Sequence, residues 1–310
     1  MTDKPPEKNA RKENGNGEEE VHAPEAKTQR EVERKEEDQD YTPVIVKRTD
    51  EAQRHPDDIL EYAIIEGLEQ LTRPFLSLLL SAVAAGLILG FSVMAVAIVG
   101  SQVSVSGQGP PLRLLTALVY PLGFVLCIMS GTQLFTEHTA TAVYPILDRR
   151  GKLKDLLRLW LTVIAGNLAG AFFSALFLIA ADEIIAAHEG YLAIGQHLVV
   201  FSNGPLFISA LLAGWLMALG AWLVMATPPT LSQMVSIYIV TFLIGIGELH
   251  HSIAGSVEIF TAYLLSDSLP AVQVMRFIGM AICGNLVGGS IFVALLNYGH
   301  IRKTQKKVQE

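Results

Sequence analysis

Between Gly247 and Phe260 the chain reads GELHHSIAGSVEIF, which sets Glu248, His250, His251 and Glu258 in a run that is apolar on both sides. Carboxylates and imidazoles together can exchange protons, pair with one another or ligate a metal. In oily surroundings each charge is expensive unless it faces a partner or a wet cavity. Metal ligation fits poorly, because the His-Glu-x-x-His order of zinc proteases is absent and adjacent histidines cannot both face one ion from an undistorted helix. No metal ligand and no catalytic residue is therefore assigned, and the chain is read as a non-enzyme. Glu248, three residues before His251, is placed to pair with it and fix its tautomer. Glu258 follows seven residues later on the same helical face, whereas His250 would point about 100° away unless the helix breaks.

A second polar island lies in LVYPLGFVLCIMSGTQLFTEHTATAVYPI, where Glu137 and His138 interrupt an otherwise apolar stretch. Gly131 and the neighbouring threonines predict a helix break, which is tolerated at membrane depth where backbone lines a wet cavity. Two interrupted helices in matching positions of two halves point to a translocation site. For Glu137 and Glu258, burial at a contact between protomers is as good a reading as a place in a pore.

The elements that must carry these islands follow from composition. The chain has 310 residues and is 51% hydrophobic, although its first 50 residues hold 24 of its 53 charges. No charge occurs in 75–100, 159–181 or 277–298, and each stretch exceeds the ~20 residues needed to cross a bilayer. With the apolar regions near 113–147, 205–227 and 234–265, these make six expected spans in an all-α membrane protein. A soluble protein could not bury six such helices. Residues 1–56 are rich in charge and poor in aliphatic side chains and read as a disordered cytoplasmic tail. Residues 57–73 read as an amphipathic helix on the membrane face, 74–300 as the spanning domain, and 301–310 as a basic cytoplasmic tail. Lys and Arg concentrate in DRRGKLKDLLR and after the last span, which puts both termini in the cytoplasm. The net charge of −7 comes mostly from the N-terminal tract, and nothing points to nucleic acid.

GNLAGAFFSALFL at Gly166 returns as GNLVGGSIFVALL at Gly284, a shift of 118 residues, and the same shift carries Ser130–His138 onto Glu248–Ser256. Three spans are repeated, and an odd number forces the halves to insert in opposite senses. This predicts two inverted three-helix repeats with interrupted second and fifth helices.

SGTQLFT followed by GNLAGA, then HSIA followed by GNLVGG, resembles the formate/nitrite transporter family, in particular an inner-membrane subgroup in which LFTE and GSVEI-type segments also occur. The resemblance covers residues 57 to 300. It implies an aquaporin-like six-span protomer in the inner (plasma) membrane, assembled as a homopentamer, with one pore per protomer for small monovalent anions or weak acids and no cofactor. The pore histidine of the family falls on His251, the loop interrupting the second span on Gln133, Leu134, Phe135 and Thr136, and the matching break on Ser252 to Gly255. The outer-constriction aromatic falls on Tyr120, where Phe is usual, and its counterpart at the other constriction on Ile244. Further departures are His250 for a usual Glu, Gly255 for a usual Asn, and no Lys before the fourth span. Formate or nitrite is therefore not fixed as the solute.

These residues predict a channel in which a weak-acid anion meets His251 midway and crosses the apolar constrictions as its neutral acid. The competing role for His251 is to hydrogen-bond the broken backbone. A pore for a small neutral solute and a non-transporting membrane scaffold remain alternatives. The former lacks the Asn-Pro-Ala breaks of aquaporins, and the absence of a phosphate loop argues against an ATP-driven pump.

Overall fold

In the computed structural model, residues 54–106, 112–267 and 269–308 are described. The disordered tail expected over 1–56 lies, up to residue 53, outside the described residues. The chain is already fixed at Arg54, whose backbone N–H donates to Ala226 O (3.1 Å) and whose Nη1 donates to Met225 O (2.8 Å).

Helix α1 (Pro56–Thr72) opens with Pro at its first position and a His55 cap. Its apolar face, with Leu60, Ala63 and Ile64, is buried with Ala140, Tyr144, Ala218 and Val293. The apolar face expected of an amphipathic helix over 57–73 thus packs against the protein. Among the described residues, five helical stretches are long and apolar enough to cross a membrane: Phe75–Gln102, Leu112–Met129, Leu153–Ala180, Asn203–Ala226 and Ala271–Lys303.

The first half runs through α2 (Phe75–Ser106), α3 (Leu112–Val119), α4 (Pro121–Met129), α5 (Phe135–Leu147) and α6 (Leu153–Ala180). A short α7 (Asp182–Ile185) and α8 (His188–Val199) lead to the second half, α9 (Asn203–Ala226), α10 (Thr230–Ile246), α11 (Ser252–Leu265) and α12 (Ala271–Val287). A π-helical segment, Gly288–Leu295, continues into α13 (Leu296–Val308). Helix α13 carries the basic segment as far as Val308, and Arg302 Nη2 meets Asp148 Oδ1 at 2.8 Å.

Helices α2 and α6 approach so closely that a Cβ on Gly170 would strike Val83 O; α9 and the π-helical segment that continues α12 do the same, a Cβ on Gly288 striking Leu211 O. Small residues at such crossings let helix backbones touch, the main source of association where lipid supplies no hydrophobic drive.

Both breaks interrupt helices as the polar islands predict. Gly131 takes φ +68° at the first and Glu248 φ +49° at the second. Matching contacts reveal the repeat in three dimensions. A Cβ on Gly166 would meet Ala82 Cβ, Leu79 O and Val83 N, and one on Gly284 would meet Ala210 Cβ, Phe207 O and Leu211 N. The 118-residue shift holds for α6 onto α12. At the breaks the register differs by one residue: α5 starts at Phe135 and α11 at Ser252. Gln133 therefore matches His250, and Leu134 matches His251.

Candidate functional site: two broken helices between two cavities

One buried asparagine holds each break. Phe135 N–H donates to Asn167 Oδ1 (2.9 Å), while Asn167 Nδ2 donates to Ala82 O and Gln133 O, both at 2.8 Å. In the second half Ser252 N–H donates to Asn285 Oδ1 (2.7 Å), and Asn285 Nδ2 donates to Ala210 O (2.6 Å) and His250 O (3.1 Å). Both asparagines are fully buried. Serines repeat the pattern, with Gln133 N–H donating to Ser81 Oγ (3.1 Å) and His250 N–H to Ser209 Oγ (3.1 Å). Backbone freed by a break cannot be left unpaired in a dry interior, so these side chains make the breaks possible.

His251 is the N-cap of α11. Its Nδ1 accepts from Ile253 N–H (3.3 Å) and Ala254 N–H (3.1 Å), and its Nε2 lies 2.6 Å from Thr136 Oγ1 in the other break. Because Nδ1 is an acceptor, the proton of the neutral ring sits on Nε2 and is donated to Thr136. A second ring proton would have to displace the cap. The edge of the ring contact is with Phe124, centroids 4.9 Å apart at 88°. One ring thus spans the two breaks: Nδ1 satisfies the backbone at the start of α11 and Nε2 reaches Thr136 in the other.

A cavity of about 470 Å³ lies on one side of this link, with Tyr120, Ile244, His197, Glu248, His251 and Glu258 among its lining residues. A cavity of about 380 Å³ on the other side is lined in part by Arg54, Glu66, Gln133, Glu137, His138 and Gln233. Leu134, Phe135, Thr136 and Ser252 line neither and are buried in the middle, with Ile253 beside them.

Several expected placements change. Ile244 does not sit at an opposite constriction. It faces the same cavity as Tyr120, because α10 packs on the α3–α4 bend, with a Cβ on Gly245 lying 3.2 Å from Tyr120 Cβ. That bend is held by Ser92 Oγ, which donates to Tyr120 O (2.6 Å) and accepts from Gly123 N–H (2.9 Å). Glu248 does not pair with His251. Its left-handed backbone turns it to the cavity mouth, where it meets Arg113 Nε at 3.6 Å and His197 Nε2 at 3.3 Å. His250 binds Ser209 Oγ through Nδ1 (2.7 Å) and contacts the rings of Phe201 and Phe277. Gly255 is packed under Phe277, where a Cβ would come within 2.6 Å of the ring. An Asn there would require Phe277 to move. Among the described residues Glu137 Oε2 has no hydrogen-bond partner, and His138 Nδ1 stands 3.8 Å from it. Among the described residues, no three His, Cys, Asp or Glu side chains are grouped to hold a metal ion.

Arg113, His197, Asn167 and Asn285 were not singled out by the sequence. The asparagines carry a usable signal, since each follows the repeated glycine of GNL at the 118-residue spacing.

Two broken helices meeting end to end, with a cavity on either side, define a membrane channel or transporter. The sequence matches the profile of the family described as formate/nitrite transporter over residues 57–299. The chain belongs to the formate/nitrite transporter family. It is 32% identical over 249 residues to the inner membrane protein YfdC of Escherichia coli, covering 79% of this chain and 78% of that one. It is 27% identical to the uncharacterized transporter YrhG of Bacillus subtilis, covering 83% and 97% of the two chains. Among solved structures, an FNT family ion channel superposes with a TM-score of 0.70 at 17% identity, over 78% of this chain and 98% of that one. A pentameric formate channel with formate bound superposes at 0.60 and 20% identity, over 72% and 96%.

Proposed function

We propose that the chain is a pore for small monovalent weak acids and their anions, closed in the middle by the His251–Thr136 link. The observation that carries this reading is that link: it joins the two broken helices between His251, which lines one cavity, and Thr136, whose neighbours Gln133 and Glu137 line the other. A solute leaving either cavity must part Nε2–H from Thr136 and can accept that hydrogen bond itself. Around the link Phe124, Leu134, Phe135 and Ile253 are buried and apolar, which favours crossing as the neutral acid.

Six passes are supported by the five long helices together with α10 and α11, which are too short singly and lie end to end across the second break. A common cytoplasmic end for both termini is supported by the ionic cluster in which Arg150 meets Glu61 and Arg302 meets Asp148. The 380 Å³ cavity, carrying Arg54 and Arg73, opens at that end, and the 470 Å³ cavity faces outward. Assembly as a pentamer is supported by the pentameric formate channel that the chain resembles.

Stopped-flow uptake into proteoliposomes, following internal pH and volume together, tests this. Formate, nitrite, acetate, hydrosulfide and glycerol are offered singly to the parent and to His251→Ala. Uptake of one or more weak acids with a change of internal pH, altered by the substitution, is the expected result. Glycerol uptake indifferent to pH would establish the neutral-solute alternative instead.

A further inference from the structure

Glu258 lies on α11 about two turns beyond His251, is only 8% exposed, and borders the 470 Å³ cavity. Among the described residues no side chain or backbone group hydrogen-bonds or ion-pairs with its carboxyl. Oε2 stands 3.8 Å from where a Cβ on Gly255 would be, with the Phe277 ring just beyond, and Tyr120 is near enough to feel its charge but makes no hydrogen bond with it. An unpaired carboxylate in such a place is costly, and nothing in the packing repays it.

The charged and titratable groups sharing this cavity do not answer it either. Helix α8 contributes Glu189 and His197, and α3 with the bend after it contributes Arg113 and Tyr120. The break contributes Glu248, His250 and His251. Helices α2, α5, α6 and α12, which also pack on α11, bring no charged side chain to the cavity. Arg113 is taken by Glu248 and by Ile246 O (2.5 Å), and His197 by the same Glu248. One guanidinium thus faces three carboxyl groups, Glu189, Glu248 and Glu258. A cavity of that balance does not concentrate anions by its field.

We infer that Glu258 is the group that exchanges a proton with the solute on the cavity side of the break, which makes the pore selective for weak acids over permanent anions. The inference rests on the pore reading above. The carboxylic O–H bond of Glu258 breaks as an O–H bond forms on the solute anion. The neutral acid then passes the His251–Thr136 link, and a hydronium ion from the solution bathing the cavity gives its proton to the Glu258 carboxylate and leaves as water. His251 cannot serve in that step without losing its cap, since Nδ1 is occupied and Nε2 holds the single proton given to Thr136.

The test is formate uptake into proteoliposomes at external pH 4 to 7.5, with Glu258→Gln, Glu258→Asp and Glu189→Gln beside the parent. Near pH 7 Glu258→Gln is expected to slow uptake by about 10²-fold, the low end of what a positioned proton donor contributes. At pH 4 the curves should converge, because the solute arrives with its own proton. Glu258→Asp should restore part of the loss, and nitrate should be excluded by the parent. Parallel pH profiles for parent and Glu258→Gln would overturn the inference. So would Glu189→Gln reproducing the loss, since an exposed carboxylate acts only through its field. If the parent carries no weak acid at all, the pore reading has failed. Infrared difference spectra then still decide the proton site: a protonated-carboxyl C=O band present in the parent and missing from Glu258→Gln supports it, and an unchanged band overturns it.

Discussion

Replacing His251 by Asn and by Leu separates its two hydrogen-bonding jobs. Asn can accept at the N-cap as His251 Nδ1 does, and Asn is among the best caps. It is too short to reach Thr136 across the 2.6 Å contact that Nε2 makes. Leu fills similar space and does neither job. His251→Leu strands Ile253 N–H, Ala254 N–H and the Thr136 hydroxyl in a layer where His251 itself is 1% exposed. A lost cap costs about 1 kcal/mol, and buried groups without partners cost about 1–3 kcal/mol each. Total destabilisation for Leu, the lost cap plus the stranded Thr136 hydroxyl, should be about 2–4 kcal/mol, against about 1–3 kcal/mol for Asn, which keeps the cap. Thermal unfolding in detergent micelles reads the difference, with parent above Asn above Leu. Weak-acid uptake should fall in both, by about 10²-fold in Asn, the usual loss on removing one positioned donor from a dry site. Asn melting as low as Leu would refute the capping role. Asn transporting like the parent would refute the claim that Nε2–H and Thr136 form the gate.

Three other substitutions follow from the geometry. Asn285→Ala leaves Ser252 N–H and His250 O without their partner and should cost about 2–6 kcal/mol, with Asn167→Ala similar; thermal unfolding with flux measured on the surviving protein checks both. Gly288→Ala drives a methyl into Leu211 O where α9 meets the π-helical segment after α12, and a loss of about 1–3 kcal/mol is expected in the same assay, whereas Gly279→Ala, with open space around it, should be neutral. Asp148→Ala removes the shared partner of Arg150 (2.7 Å) and Arg302 (2.8 Å); being partly exposed, the network should yield about 1–2 kcal/mol, shrinking in high salt. Arg150 is held above its ordinary value chiefly by the hydrogen bond it donates to Glu61, so its contribution is present below the unfolded value and lost only as pH rises past the folded one, in strong alkali. Salt rather than pH is therefore the lever on that cluster between pH 7 and about 10.

Much of the architecture was legible because lipid leaves few options. Long uncharged runs must be helices, and polar islands inside them must be breaks that line cavities, which Gly131 and Glu248 duly make. The small-residue repeat exposed the twofold plan through Gly166 and Gly284. The side-chain partners were not legible, because each depends on elements distant in sequence coming together. Glu248 looked like a partner for His251 from a spacing of three, yet the break turns it to Arg113 on α3 and His197 on α8. Ile244 was set at the wrong end because no local feature records that α10 packs on the Tyr120 bend. Helix α1 showed its amphipathic period, but periodicity cannot say whether protein or lipid covers the apolar face; Ala140, Tyr144 and Val293 cover it.

The one-residue difference in register between the breaks has a physical consequence. It puts Leu134 and His251 at equivalent N-cap positions. Leu134 has no capping group, and among the described residues no protein group accepts from Thr136 N–H or Glu137 N–H. His251 silences the corresponding donors of α11 with its Nδ1. The positive ends of two helix dipoles, each about half a charge, converge on the Thr136–His251 link, and only one of them is capped. An anion entering the middle would therefore find its unspent donors on the α5 side, without any lysine in the pore. In the proposed pore, attraction would be supplied by backbone at the break, and the carboxyl groups lining the 470 Å³ cavity, Glu189, Glu248 and Glu258, would be left to manage the proton.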